Sequence, residues 1–231
     1  MDPKDFHKKY IKAELEALEK DMVILTDEVG KEIGKASKLE SHIKGGLLHK
    51  AFSLLLFNVD GELLLQQRAA CKITFPLLWS NTVCSHPLYV ESERYSIDGV
   101  FRAVIRRTRF ELGLDLPSVI SKQFHIATLL YSAGTRDGFC EKELDYIICA
   151  VVKGDSSGIV DFSVINKEEV KELRWISRTK LEEEIKESPD MFSPWFKLLF
   201  SSFLNDKWKE LGVSEESFEK WKVDGIIKMS K

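Results

Sequence analysis

The sequence predicts an α+β chain built on a mixed sheet, and three observations lead there. Strand-like apolar runs fill the first half, one strongly amphipathic helix interrupts the strand pattern, and helical patterns close the chain. A doubly wound parallel sheet would instead alternate strand and helix throughout. With 231 residues, 44% of them apolar, the chain can bury a substantial core as one large domain with an appendage.

The elements follow in order. Pro3 to Asp21 predicts a surface helix, because Phe6, Tyr10, Ala13 and Ala17 recur at helical spacing with Pro3 near the start. It reads as an extension, residues 1–21, to a single domain spanning 22–231. Met22 to Thr26 is a short apolar run before the turn-rich Asp27 to Gly34, which predicts an early hairpin. Lys50 to Asn58 and Glu62 to Arg68 flank Val59-Asp60-Gly61, the pattern of a β-hairpin whose strands are covered on both faces. Thr74 to Val90 holds Pro76 and Pro87 and predicts loop with short strand. Gly99 to Leu112 is the clearest helix. Val100, Phe101, Val104 and Ile105 line one side, Arg102, Arg106 and Arg109 another, and Gly113 takes the terminator position. Further strands are predicted at Gln123 to Ser132, Glu143 to Lys153 and Leu173 to Ile176. Thr179 to Glu187 predicts a helix. Ser193-Pro194 reads as an N-cap and first helical residue of a helix through about Lys209, and Ser214 as the cap of a last short helix.

Composition excludes several classes. The 34 basic against 37 acidic side chains leave a net charge of −3, too acidic for a broad nucleic-acid surface. Apolar runs such as Ala51 to Phe57 fall short of a membrane span, and the first twenty residues are too charged for a secretory signal. Met229-Ser230-Lys231 is not the usual peroxisomal tripeptide, so a cytoplasmic setting is expected. Four cysteines without a CxxC pair point to free thiols in a reducing compartment.

Four constellations can carry chemistry. His42, His49 and His86 bracket the Leu-rich strands. They read either as solvated or core imidazoles, or as donors to a divalent ion assembled from separate segments. Glu141 and Glu143 fall on one face of a strand, where paired carboxylates repel unless a cation or a proton intervenes; a solvated strand edge is the other reading. Cys84 lies two residues from His86, as a tuned thiol or a small core side chain. Finally, Lys35 to Lys72 carries six basic residues against three acidic, and Phe101 to Glu111 four arginines against one glutamate. Two cationic segments in an acidic chain suit a phosphate-bearing small ligand, or an ordinary solvated face.

Together, Asn81-Thr82-Val83-Cys84-Ser85-His86-Pro87, Arg106 to Gly113, Glu141-Lys142-Glu143 and Phe192-Ser193-Pro194-Trp195 resemble the type I isopentenyl-diphosphate delta-isomerases. The resemblance runs from about Val23 to about Leu204. It implies a Nudix-like fold, an α/β/α sandwich of a mixed sheet flanked by helices with an N-terminal helix. The implied reaction is a 1,3-allylic proton shift between isopentenyl and dimethylallyl diphosphate, which supplies isoprenoid precursors.

The resemblance also implies residue roles. His42, His49, His86, Glu141 and Glu143 match the family's metal ligands, a set suited to Zn, Mn or Mg. Cys84 and Glu143 match the two acid–base residues on opposite faces of the substrate. Tyr131 matches a tyrosine bonded to that glutamate, and Trp195 the indole near a developing carbocation. Lys38, Arg68, Lys72 and Arg107 match diphosphate contacts, with Ser85 assisting. Glu111 matches the carboxylate of a second site, for Mg bound with the substrate diphosphate. The implied partner is a small-molecule diphosphate, with no nucleic acid and no membrane, and the protein is expected to be a monomer or weak oligomer.

One departure separates related activities. Aligned on Gly113, a Nudix hydrolase would carry glutamates where this chain has Arg107 and Phe110, and of that carboxylate cluster only Glu111 remains. A Nudix-type diphosphate hydrolase is therefore the alternative that the sequence disfavours.

Overall fold

All nine residues of strand β3 (His49–Phe57) except Lys50 are buried, and this run is the axis of the molecule. Alternation of polar and apolar residues is absent because both faces are covered. Leu55 and Phe57 face a core built with the C-terminal helices, through Phe196, Leu199, Phe218 and Trp221. Phe52, Leu54 and Leu56 face a second core against helix α4 (Ile97–Leu112), through Val100, Ala103 and Val104. Helices therefore lie on both sides of one sheet. The computed structural model describes residues 14–134, 138–154, 159, 161 and 163–229.

The sheet is mixed, as predicted. β8 (Cys140–Val151) runs parallel to β3, β7 (Phe124–Gly134) antiparallel to β8, and β10 (Ile226–Lys228) parallel to β7. On the other edge β1 (Met22–Thr26) meets β3 at Leu25 and His49, and pairs antiparallel with β2 (Glu32–Ser37). The early hairpin thus extends three residues past its predicted limit at Gly34.

The predicted hairpin across Asp60-Gly61 is corrected. β3 and β4 (Leu63–Arg68) share one pair, Phe57 with Leu63, and then part. β4 turns to β9 (Val170–Ile176) and β5 (Trp79–Ser80), while β3 takes β6 (Val83–Ser85). Polar side chains fill the split. Thr82 Oγ1 accepts from Leu56 N–H at 2.9 Å and donates to Leu64 O at 2.7 Å, and Asn81 Nδ2 donates to Leu54 O at 3.3 Å. Ladder groups that a hairpin would pair with each other are satisfied through this inserted segment.

Helix α4 ends at Gly113, whose φ of 64° is left-handed and whose N–H bonds Arg109 O. A Cβ there would also meet Val164 Cγ2 at 2.6 Å, so glycine is required twice over. The helix predicted from Ser193 is one rod with a change of pitch: α7 (Pro194–Leu199), a π-helical stretch (Phe200–Leu204) and α8 (Asn205–Leu211). Ser193 does not cap it with its side chain. The residue is fully buried, and its hydroxyl donates to Ser80 Oγ at 3.1 Å instead. Ser214 does cap α9 (Glu215–Trp221), in a box with Ser217. Two short helices, α3 (Glu91–Arg94) and α5 (Leu116–Val119), flank α4, and α6 (Arg178–Glu187) follows β9.

The N-terminal helix, α1, is described over 14–20; Phe6, Tyr10 and Ala13 lie outside the described residues. α2 (Lys38–His42), which periodicity did not predict, is closed by a capping box between Ser37 and Glu40. Among the described residues no helix is long and apolar enough to cross a membrane.

Candidate active site

Strand register brings the first site residues together. His49 opens β3 and pairs with Glu143 of β8, and Tyr131 of β7 pairs with Glu143 from the other side. Directly opposed residues on neighbouring strands present their side chains to the same face, so the three form a row. β6 lies on β3 with Cys84 opposite Ser53, and the chain leaves β6 at His86. His42 enters from the last turn of α2.

His42, His49, His86 and Glu143 offer ligand atoms within 4.8 Å of one another, and all four residues are buried. Their rings stand 4.7–5.0 Å apart. His86 Nε2 is 2.9 Å from Glu143 Oε1, His49 Nε2 3.6 Å and His42 Nε2 3.9 Å. Glu141 takes a different place. It lies 3.0 Å from His42 Nε2 and outside the four-residue cluster.

Carbonyls turn two of the rings. His42 Nδ1 meets Lys38 O at 2.6 Å and His49 Nδ1 meets Leu47 O at 2.7 Å, which leaves each Nε2 lone pair facing inward. Among the described residues, His49 Nε2 is buried with no hydrogen-bond partner. A buried orphan acceptor among two imidazoles and a carboxylate fits a divalent cation of borderline softness.

Electrostatics treat His86 and His42 oppositely. Burial, then the charges of Lys38, His49 and His42, push the His86 imidazole well below its ordinary value. Burial pushes His42 down, but Glu141 and Glu143 outweigh it and leave it raised. For Glu143, burial pushes the carboxyl up, yet His49, His42 and the Tyr131 hydroxyl overcome this and hold it low.

Further titratable groups lie beside this cluster. Tyr131 O–H donates to Glu143 Oε2. Cys84 is partly buried, and desolvation pushes its thiol up to about 12 against a counter-pull from Arg68. Asp145, two residues along β8, accepts from Ser53 Oγ at 2.8 Å, and burial and then Glu143 push its carboxyl well up. Trp195, at the second position of α7, lines the same cleft.

Cations form the other part of the lining. Lys38, Arg68, Lys72 and Arg107 all reach the cleft, with Ser85 and Glu111. Arg107 donates to Glu111 Oε1 through Nε at 3.0 Å and Nη2 at 2.5 Å, and Gln66 Nε2 donates to Glu111 Oε2 at 3.3 Å. Lys72 Nζ bonds Glu169 at 2.9 Å and Glu14 at 2.6 Å. Burial opposes the charge of Glu169, but Lys72, Arg107 and Lys38 hold its carboxyl down to about 2. The two cationic segments are thus only partly about the cleft. Arg102 bonds Ser92 O, Arg109 bonds Asp115, and Arg106 grips Glu93 and His86 O.

Sequence comparison finds relatives over most of the chain. An isopentenyl-diphosphate delta-isomerase of Gibberella zeae is 41% identical over 201 residues, covering 83% of this chain and 77% of that protein. The chain belongs to the isopentenyl-diphosphate delta-isomerase family. Isopentenyl-diphosphate Delta-isomerase II of Clarkia breweri is 40% identical over 215 residues (86% and 72%), and isomerase 1 of Mesocricetus auratus 39% over 202 (83% and 86%). A NUDIX domain model matches residues 47–196. A crystal structure from Deinococcus radiodurans superposes with TM-score 0.57 at 14% identity, covering 79% of this chain and 99% of that one. A NUDIX hydrolase from Alicyclobacillus acidocaldarius superposes at 0.52 and 10%, covering 79% and 97%. At these identities the likeness is one of fold.

Every residue that the isomerase resemblance pointed to reaches this site. Gln66, Glu169, Glu14 and Asp145 were not predicted. Gln66 and Glu169 lie at the cationic end, and Glu14 brings the N-terminal helix onto the cleft, where the sequence suggested only an extension to the domain. Asp145 continues the Glu141–Glu143 face and was open to a period-two reading. Gln66, Glu169 and Glu14 carried no local signal.

Proposed function

We propose that this chain interconverts isopentenyl and dimethylallyl diphosphate by protonation and deprotonation on opposite faces of the allylic carbons. The observation that supports it is one cleft joining Lys38, Arg68, Lys72 and Arg107 to a buried thiol and a Tyr131-bonded Glu143. The cations position a diphosphate that takes no part in the bond changes. One of the pair Cys84 and Glu143 gives a proton to the terminal alkene carbon, and the other removes one from the methylene carbon. Turnover leaves the two protonation states exchanged, which is the starting point for the reverse reaction. Between the steps the substrate carries a tertiary carbocation that water would trap. The buried walls exclude water, and the Trp195 face stabilises positive charge without attacking it.

His42, His49, His86 and Glu143, with Glu141 beside them, would hold a divalent ion, Zn, Mn or Mg, whose charge fixes the Glu143 carboxyl and tunes its acidity. Glu111 would share Mg with the substrate diphosphate. The reading extends to a cytosolic monomer or weak oligomer, in line with its four unpaired cysteines. The test is incubation with isopentenyl diphosphate and Mg, with products separated. Dimethylallyl diphosphate is the expected product; release of phosphate or pyrophosphate in its place would overturn the proposal.

A further inference from the structure

The loop before β5 is strained, and the strain is held in place. Phe75 and Leu77, on either side of Pro76, have φ of 52° and 63°, a region non-glycine residues keep only when their surroundings impose it. β4 supplies the restraint. Arg68 Nε donates to Phe75 O at 3.1 Å and Thr74 O at 3.2 Å, and its Nη2 to Thr74 O at 2.9 Å. Gln67 Nε2 donates to Leu77 O at 2.9 Å.

What this fixes is a ring. The Phe75 and Trp195 rings form a T-shaped pair, centroids 5.1 Å apart at 80°. Phe75 packs behind Trp195, outside the cleft lining, and Arg68 Cζ stands 5.6 Å from the indole centroid. Among the described residues, Trp195 Nε1 is buried with no hydrogen-bond partner. No polar bond therefore sets the angle of the indole, and packing must.

We propose that Phe75, held on this strained loop, is a positioning residue that sets the plane of the Trp195 indole against the reacting carbon chain. The inference rests on the isomerase reading. An indole in the wrong plane stabilises the cation less and leaves room for water. Water oxygen then bonds to the tertiary carbon and loses a proton to solvent, giving a tertiary-alcohol diphosphate with the diphosphate intact.

The test is steady-state kinetics and product analysis in ¹⁸O-labelled water for Phe75→Leu, Phe75→Met and Phe75→Tyr beside the wild type. Met keeps the volume without the ring, so it tests the ring even where the leucine variant folds poorly. For Leu and Met we expect kcat to fall about tenfold with KM within about twofold, and labelled alcohol to appear. Tyr should stay near wild type. Wild-type kcat in the aliphatic variants without alcohol, or a raised KM with kcat kept, would overturn the inference while the isomerase reading stands. A wild type that forms no dimethylallyl diphosphate overturns both.

Discussion

A thiol attacks as thiolate, and burial keeps Cys84 protonated, with its pKa pushed up to about 12 from 9.0. That lowers its thiolate fraction at pH 8 about a thousandfold. Iodoacetamide should therefore label Cys84 far more slowly than free cysteine, a rate read by peptide mass spectrometry; equal rates would contradict a protonated thiol. Cys84→Ala should abolish isomerisation with little change in melting temperature. Glu143→Gln should do the same and also weaken metal uptake about tenfold or more, measured against a chromogenic chelator. The residue scale was the most legible. Cys84, His86, Glu141 and Glu143 stood out by type and spacing, although only the folded geometry shows that Glu141 meets His42 from outside the cluster.

At the scale of elements, short pieces carry much of the site. α2 has five residues, too few for a periodic pattern, yet it delivers both Lys38 and His42. Its signature was present as Ser37-Lys38-Leu39-Glu40. Ser37→Ala should cost about 1 kcal/mol in thermal unfolding and loosen metal binding, because the cap holds the turn that presents His42. The junction of α3 and α4 acts through packing. A Cβ on Gly99 would meet the Glu93 carbonyl oxygen at 2.5 Å, a backbone atom that cannot swing aside. Glu93 in turn holds Arg106, which bonds His86 O at 3.2 Å. Gly99→Ala should destabilise by about 1–3 kcal/mol, seen as a lower denaturation midpoint.

Across the whole molecule, the Glu169 cluster links α1, the loop after β4, α4 and the residue before β9 through Glu14, Lys72 and Arg107. Its carboxyl sits at about 2 in the folded protein against an ordinary 4.5. A depressed value adds stability that is full above pH 4.5 and lost as pH falls toward 2, on the order of 3 kcal/mol. Melting temperature between pH 5 and 3 should fall more steeply for wild type than for Glu169→Gln. Metal should act on the folded state as well. Because a divalent ion would bind four buried ligands that are apart in the unfolded chain, Zn or Mn should raise the melting temperature and a chelator lower it.

The double burial of β3 and the stop at Gly113 were legible in the sequence alone, since each rests on local propensity or periodicity, and the set of candidate chemical residues was legible through the family resemblance. Tertiary structure alone decided the rest. It parted β3 from β4 through Thr82 and Asn81, and stood Phe75 against Trp195. It also aligned His49, Glu143 and Tyr131 across three strands. These choices depend on which distant segments pair, and pairing is settled by burial summed over two cores, a quantity that no single stretch of sequence contains.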